Sequence, residues 1–167
     1  LKAAPEGPIV VRTIDAGSDK PVPFLDMPHE ENPALGIRGF RLIQDHRQFL
    51  IDQLESLEVA RKETGREVWV MAPMIATVQE AKEFCDLARS LGGYKVGIMV
   101  ETPSIAALID QLAGIVDFVS VGTNDLSQYL FAADRMNANL GSLANHWQPG
   151  LIRTLARIAD GANKGGF

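Results

Sequence analysis

Apolar residues fall into two rhythms along this chain. Short β-branched runs alternate with longer stretches in which apolar positions recur every three or four residues. IVVRTI (Ile9 to Ile14), EVWVM (Glu67 to Met71), VGIMVE (Val96 to Glu101) and the start of DFVSVGTND (Asp117 to Asp125) are of the first kind. Each is long enough for a buried parallel strand and too short for a helix. LGIRGFRL (Leu35 to Leu42) also alternates and predicts a further strand, with Gly39 allowing close backbone approach. On that pattern Arg38 and Arg41 lie on opposite faces, so at most one of them faces a cleft directly.

Helical spacing fills the intervals. Phe49, Leu50, Leu54, Leu57 and Val59 predict a helix over Gln44 to Lys62, stopped by Gly65. Thr77-Val78-Gln79-Glu80 has the form of a capping box and opens a helix to Leu91, stopped by Gly92-Gly93. Pro103 falls near the first turn of a short apolar helix, Ile105 to Leu112, where its missing N–H costs nothing. Thr123-Asn124-Asp125 is expected to be a loop, followed by a helical turn or two over Leu126 to Ala133 and irregular chain from Asn137 to Gln148. LIRTLARIADGANK predicts a last helix closed by Gly165-Gly166, after which Phe167 would start another strand. The Pro-, Asp- and Glu-rich stretch from Gly17 to Leu35 predicts a long loop, a kind that often carries function.

Strand–helix alternation means an α/β fold with a parallel sheet. The expected architecture is a (β/α)8 TIM barrel, C-terminally incomplete, with about five of its strands present. Residues 1–167 then form a single partial barrel domain. An open doubly wound sheet is the structural alternative, but its Gly-rich dinucleotide fingerprint is absent. Leu1 to Pro8, which starts without methionine, suggests the tail of an upstream segment.

Composition excludes several classes of function. The chain is 46% hydrophobic and 22% charged with a net charge of -5, which argues against a nucleic-acid footprint. The single cysteine rules out an internal disulfide, and no Cys/His cluster has zinc-ligand spacing. With no long apolar run and no signal-peptide pattern, the expectation is a cytoplasmic protein without membrane or nucleic-acid partners. Cys85, among Phe84, Leu87, Ala88 and Leu91, fits a core filler better than a nucleophile.

Candidate chemistry lies where the strands run out. Glu101 ends one strand and Asp125 follows the end of the next, and a right-handed crossover puts both ends on the same edge of the sheet. Singly, Glu101 reads as well as a helix cap and Asp125 as a turn residue. As a pair at matched strand ends they suit Mg²⁺, which takes one or two carboxylates plus waters and substrate oxygens. Arg12, at the first strand's end, needs an anionic partner: a ligand, or a salt bridge to Asp15 or Asp19. A barrel would gather Arg12, Arg38, Glu101, Asn124, Asp125 and Arg135 at one mouth. A divalent cation with several guanidinium groups holds a small, multiply anionic phosphate or carboxylate compound, and serves phosphoryl transfer or enolate chemistry.

The segments VRTIDAGSDKP, ENPALGIRGFR, MAPMI, GIMVETP and SVGTNDLSQYLFAADR, in that order, resemble the phosphoenolpyruvate-binding domain of the phosphoenolpyruvate–protein phosphotransferases, Enzyme I of the bacterial sugar phosphotransferase system. The likeness covers nearly the whole chain, and Asp15 to Lys20 looks more like Enzyme I than like pyruvate phosphate dikinase or phosphoenolpyruvate synthase. It implies Mg²⁺ on Glu101 and Asp125, and phosphoenolpyruvate held by Arg12, Arg38, Arg135 and Asn124. It further implies transfer of the phosphoryl group to a histidine on a separate N-terminal domain, then to the carrier protein HPr, and a homodimer formed through the barrel domain. His29, His46 and His146 lack the phosphoacceptor motif. The family's catalytic cysteine, in a Cys-Gly-Glu motif, lies beyond Phe167 and is not replaced by Cys85. No catalytic residue is therefore expected here, and the fragment alone should bind Mg²⁺, hold phosphoenolpyruvate no more than weakly, and not turn over. Two other readings are a Mg²⁺-dependent pyruvate-enolate lyase or aldolase on the same barrel, and a non-catalytic dimerisation module, against which the intact carboxylates and arginines argue.

Overall fold

Among the described residues four short strands form one parallel sheet in chain order: β1 (Ile9–Arg12), β2 (Val68–Ala72), β3 (Lys95–Val100) and β4 (Phe118–Val121). They are connected through helices α1 (Ile43–Thr64), α2 (Val78–Leu91), α3 (Pro103–Ala107), α4 (Thr123–Leu130) and α5 (Pro149–Gly165). The computed structural model describes residues 1–18, 20–25, 27, 29–143 and 145–167. Four strands are half of the eight that a closed barrel needs, so the chain shows the parallel α/β layer without the closed ring.

The strand expected over Leu35 to Leu42 does not form. Pro33–Leu35 and Gly39–Leu42 are 3₁₀ turns, with Gly36 and Arg38 extended between them. Gly39 has φ 56, a left-handed backbone that interrupts any strand. The apolar positions there serve a turn that buries Gly39, Phe40 and Leu42. The sheet therefore has four strands instead of about five.

Helix boundaries follow local chemistry where that chemistry is strong. The capping box opening α2 is present, with Glu80 N–H donating to Thr77 Oγ1 at 3.1 Å and Thr77 N–H to Glu80 Oε2 at 2.9 Å. Gly65 closes α1 with φ 65, and Gly166 closes α5 with φ 78. The helix expected from Ile105 to Leu112 begins at Pro103 and breaks at Leu108 into a 3₁₀ turn over Ile109–Leu112. Thr123-Asn124-Asp125, expected as a loop, is the first turn of α4.

Alternate strand positions build the core. Val68, Val70, Ala72, Val96, Ile98 and Val100 are all buried against the helices, together with Leu54, Phe84, Ile105, Leu112, Leu126 and Leu151. Cys85 is buried in the same cluster, and burial pushes its thiol up to about 12, so it fills space as the sequence implied. The other parity carries Trp69, Lys95 and Phe118, with the Trp69 and Phe118 rings 5.0 Å apart and the Lys95 ammonium 4.5 Å from the Trp69 ring. No helix among the described residues is long and apolar enough to cross a membrane.

At the N-terminal edge of β3 a carboxylate ties α1 to the turn after α2. Glu58 accepts from Arg61 Nε and Nη2, both at 2.8 Å, and from the Gly93 N–H at 3.2 Å. The Arg61 hydrogen bonds outweigh burial and hold the Glu58 carboxyl at about 2, against an ordinary 4.5. A depressed folded-state value means that this stabilisation is present above the unfolded-state value and is lost as pH falls through the folded one. Glu58→Gln is therefore expected to lower the urea midpoint at neutral pH. The gap to the parent should close as pH falls from about 4.5 toward about 2. A gap that stays constant over that range would show that the Glu58 charge is not the cause.

Candidate functional site

Because all four strands are parallel, their C-terminal ends open onto one edge of the sheet. Arg12 closes β1, Glu101 directly follows β3, and Asp125 stands in the first turn of α4 just after β4. Arg38 reaches the same edge from between its two 3₁₀ turns. Two backbone bonds place that turn: Gly39 N–H to Ala16 O at 3.1 Å, and Phe40 N–H to Pro73 O at 3.3 Å. Gly39 is required there, since a Cβ would stand 2.9 Å from Met74 Cβ.

Arg38 is the centre of the cluster and is only 1% exposed. Its Nε donates to Asp15 Oδ1 at 3.2 Å and its Nη2 to Asp15 Oδ2 at 2.7 Å. Its Nη1 and Nη2 also donate to Asp125 Oδ1 and Oδ2, at 3.4 and 3.3 Å. Arg135 Nη1 approaches Asp125 Oδ1 at 3.5 Å. Arg12 Nη1 and Lys20 Nζ lie 3.7 and 3.4 Å from Asp15 Oδ2. Asp15 is thus the partner of Arg12; Asp19, the other expected partner, lies outside the described residues.

Burial alone would raise the Asp15 carboxyl, but the Arg38 hydrogen bond and the charges of Arg38, Lys20 and Arg12 hold it below the ordinary range. Burial likewise works against the Arg38 charge, and its bonds to Asp15 reverse that and keep it protonated. Glu101 stands differently. Burial pushes its carboxyl up to about 7; the Met74 N–H, donating to Oε1 at 2.7 Å, opposes this, and the charges of Asp125 and Asp15 add to it. Met74 delivers that N–H from a left-handed backbone with φ 60, and Thr102 Oγ1 braces the same loop by donating to Ile75 O at 2.8 Å. Gly122 leaves the room Glu101 occupies, since a Cβ there would stand 2.6 Å from Glu101 Oε2.

Of the residues singled out from sequence, Arg12, Arg38, Asp125 and Arg135 are joined through direct ion pairs or the shared Asp15, and Glu101 lies within the same field. Asn124 is exposed on the rim, with its backbone oxygen accepting from Ser127 Oγ at 3.1 Å. Arg41 turns away, donating to the Leu35 and Gly36 carbonyls. His29 and His146 are exposed, and His46 sits at a kink in α1. Sequence reasoning missed Asp15 as more than a salt-bridge partner, and missed Lys20 altogether. It also missed Gln128, whose Oε1 accepts the Arg135 N–H at 3.0 Å and fixes the turn bearing that arginine. Tyr129, whose hydroxyl donates to Ala34 O, was missed as the tie between α4 and the long loop. Lys20 and Gln128 pair only five and seven residues away, at spacings that carry no helix or strand period, and Tyr129 depends on chain 95 residues distant.

The donor set suits a hard divalent cation. Among the described residues the hydrogen bond to Glu101 comes from a neutral backbone N–H, and no cation pairs with this carboxylate, which is therefore short of positive charge. No group of three or more His, Cys, Asp or Glu ligands occurs among the described residues. Two carboxylates with remaining positions left to water and substrate oxygens is the pattern of Mg²⁺.

The fold is a parallel α/β sheet that gathers carboxylates around a buried arginine at its C-terminal edge, and the chain belongs to the family described as PEP-utilising enzyme, PEP-binding domain, whose family model matches residues 1–167. Among similar proteins is the phosphoenolpyruvate-protein phosphotransferase of Streptomyces coelicolor, 46% identical over 167 residues, covering 99% of this chain and 30% of that protein. The phosphoenolpyruvate-protein phosphotransferase of Bacillus subtilis is 40% identical over 170 residues, covering 95% of this chain and 30% of its own length. A multiphosphoryl transfer protein of Xanthomonas campestris pv. campestris is 42% identical over 163 residues, covering 94% of this chain and 19% of that protein. The chain thus spans about 30% of the length of the phosphotransferases it matches.

Proposed function

We propose that residues 1–167 are a partial barrel domain forming the phosphoenolpyruvate-binding part of a phosphoenolpyruvate–protein phosphotransferase. The observation that carries this is the buried Arg38 guanidinium held between two carboxylates at the edge where Glu101 also lies. Arg12, Arg38, Arg135 and Asn124 hold the phosphate and carboxylate of phosphoenolpyruvate, and Glu101 and Asp125 hold Mg²⁺. The cation, when bound, neutralises charge on the substrate oxygens. Arg38 orients the substrate from below, since its position is fixed by burial. Arg12 and Arg135, with side chains 41% and 27% exposed, are free to close on the substrate from the rim. The Met74 N–H keeps Glu101 aimed at the site.

The phosphoryl group passes to a histidine on a separate N-terminal domain and on to HPr, in a cytoplasmic homodimer. The names of the relatives support this reading over a Mg²⁺-dependent lyase or aldolase. With phosphate-labelled phosphoenolpyruvate and Mg²⁺, a full-length protein carrying this chain is expected to label HPr, and to stop when EDTA removes the cation. Unlabelled HPr in the presence of Mg²⁺ overturns the proposal, and retro-aldol cleavage of a hydroxy-keto acid without any phosphoacceptor would favour the lyase.

A further inference from the structure

Arg38 is gripped along two different edges, and the grips are unequal. Asp15 takes the Nε–Nη2 side at 3.2 and 2.7 Å, whereas Asp125 faces the Nη1–Nη2 end at 3.4 and 3.3 Å. The short side-on pair is the stronger charge-assisted contact, and the long end-on pair is the one more easily given up. The two carboxylates also differ in what else they can do. Both Asp15 oxygens are occupied by Arg38, and Oδ2 is shared with Lys20 and Arg12, so this carboxylate is saturated with cations and has little to offer a metal ion. Asp125 is flanked by Arg38 and Arg135 at longer range, and its charge reaches Glu101, with which no cation pairs among the described residues.

The chain bearing Asp15 is well anchored. Thr13 N–H donates to Met71 O at 2.9 Å, Ile14 N–H to Gln53 Oε1 at 3.2 Å, and Ala16 O accepts from Gly39 N–H at 3.1 Å. A carboxylate carried on backbone that is bonded to β2, to α1 and to the turn bearing Arg38 can hold a guanidinium plane in place. We propose that Asp15 is a positioning residue: it clamps the Nε–Nη2 side of Arg38, so that the Nη1–Nη2 end can pass from Asp125 to the anionic oxygens of the substrate while a divalent cation takes Asp125. This deepens the proposed function and rests on it. Asp15 touches neither cation nor substrate in this scheme. Without it, Arg38 is free to swing fully onto Asp125 and compete there with the cation.

The consequence is a coupling that a ligand or a merely structural residue would not produce. Full-length protein carrying this chain, with D15N, R38Q and both together, is titrated calorimetrically with Mn²⁺ alone, and the parent and D15N are then titrated with phosphoenolpyruvate at saturating Mn²⁺. D15N is expected to weaken Mn²⁺ binding about tenfold when Arg38 is present and to change it by less than about threefold in the R38Q background. D15N is also expected to weaken phosphoenolpyruvate binding about tenfold or more, as a charge-assisted two-bond hold on Arg38 is lost. D15E, which keeps the charge, should recover most of the phosphoenolpyruvate affinity and serves if D15N does not fold. Equal loss of Mn²⁺ affinity in both backgrounds, or a D15E protein as weak as a charge-deleted one, overturns the assignment of Asp15. A parent protein that binds neither Mn²⁺ nor phosphoenolpyruvate removes the functional reading itself, an outcome distinct from a parent that binds both and shows an additive cycle.

Discussion

Arg38→Ala is expected to cost the protein stability and substrate binding together. The guanidinium is 1% exposed, and its removal leaves Asp125, with a side chain 7% exposed, facing Arg135 at 3.5 Å as its one remaining cation among the described residues. Asp15 would retain the half-exposed Arg12 and Lys20 at 3.7 and 3.4 Å. Breaking a buried pair by deleting one partner costs about 3–5 kcal/mol, because the charge left behind stays out of water. Urea unfolding should show a loss of that order. Binding of phosphoenolpyruvate should fall by about two orders of magnitude or more, the scale of losing one partner of a buried, hydrogen-bonded charge pair. Burial between two carboxylates is what couples the loss of stability to the loss of binding. Near-normal phosphoryl transfer by the variant would remove Arg38 from the site, and an unchanged urea midpoint would show that the ion pairs contribute nothing net.

Glu101→Gln is expected to separate the two effects. Glu101 is as buried as Arg38, but its hydrogen bond comes from a backbone N–H, and burial already pushes its carboxyl up to about 7. The amide can accept the same Met74 N–H without the cost of a buried charge. Stability in the absence of a divalent cation should therefore be retained or raised. Mg²⁺ affinity should fall about tenfold or more, since one of the two proposed charged ligands is lost, and any thermal stabilisation of the parent by the cation should shrink with it. A metal titration matching the parent would show that Glu101 is not a ligand. A variant that loses stability as Arg38→Ala does would show that the carboxylate charge is part of the fold.

The contrast between these two substitutions marks what could be read without coordinates. Glu101 and Asp125 were legible as a pair because each sits at a fixed offset from a strand end, and parallel strands bring such ends to one edge. Asp15 looked like a surface partner of Arg12 because the nearer arginine was the obvious one; its stronger bond is to Arg38, 23 residues on. The alternation in LGIRGFRL looked like a strand because apolar spacing does not record the sign of φ at Gly39. Thr123-Asn124-Asp125 looked like a loop because polar residues mark turns and helix starts alike, and here they form the first turn of α4.

The sequence by itself determined the parallel α/β class, the runs that became β1 to β4 though not that Leu35 to Leu42 stays out of the sheet, the capping box of α2, the glycine stops of α1 and α5, and the carboxylates Glu101 and Asp125 that follow strand ends. All of these rest on interactions within a few residues along the chain or on a two-residue period. Tertiary structure alone decided that Arg38 lies between Asp15 and Asp125, separated from it by 23 and 87 residues, and that Met74, 27 residues from Glu101, supplies its N–H. Those contacts join elements brought together only by burial of the shared core, and no local spacing encodes them.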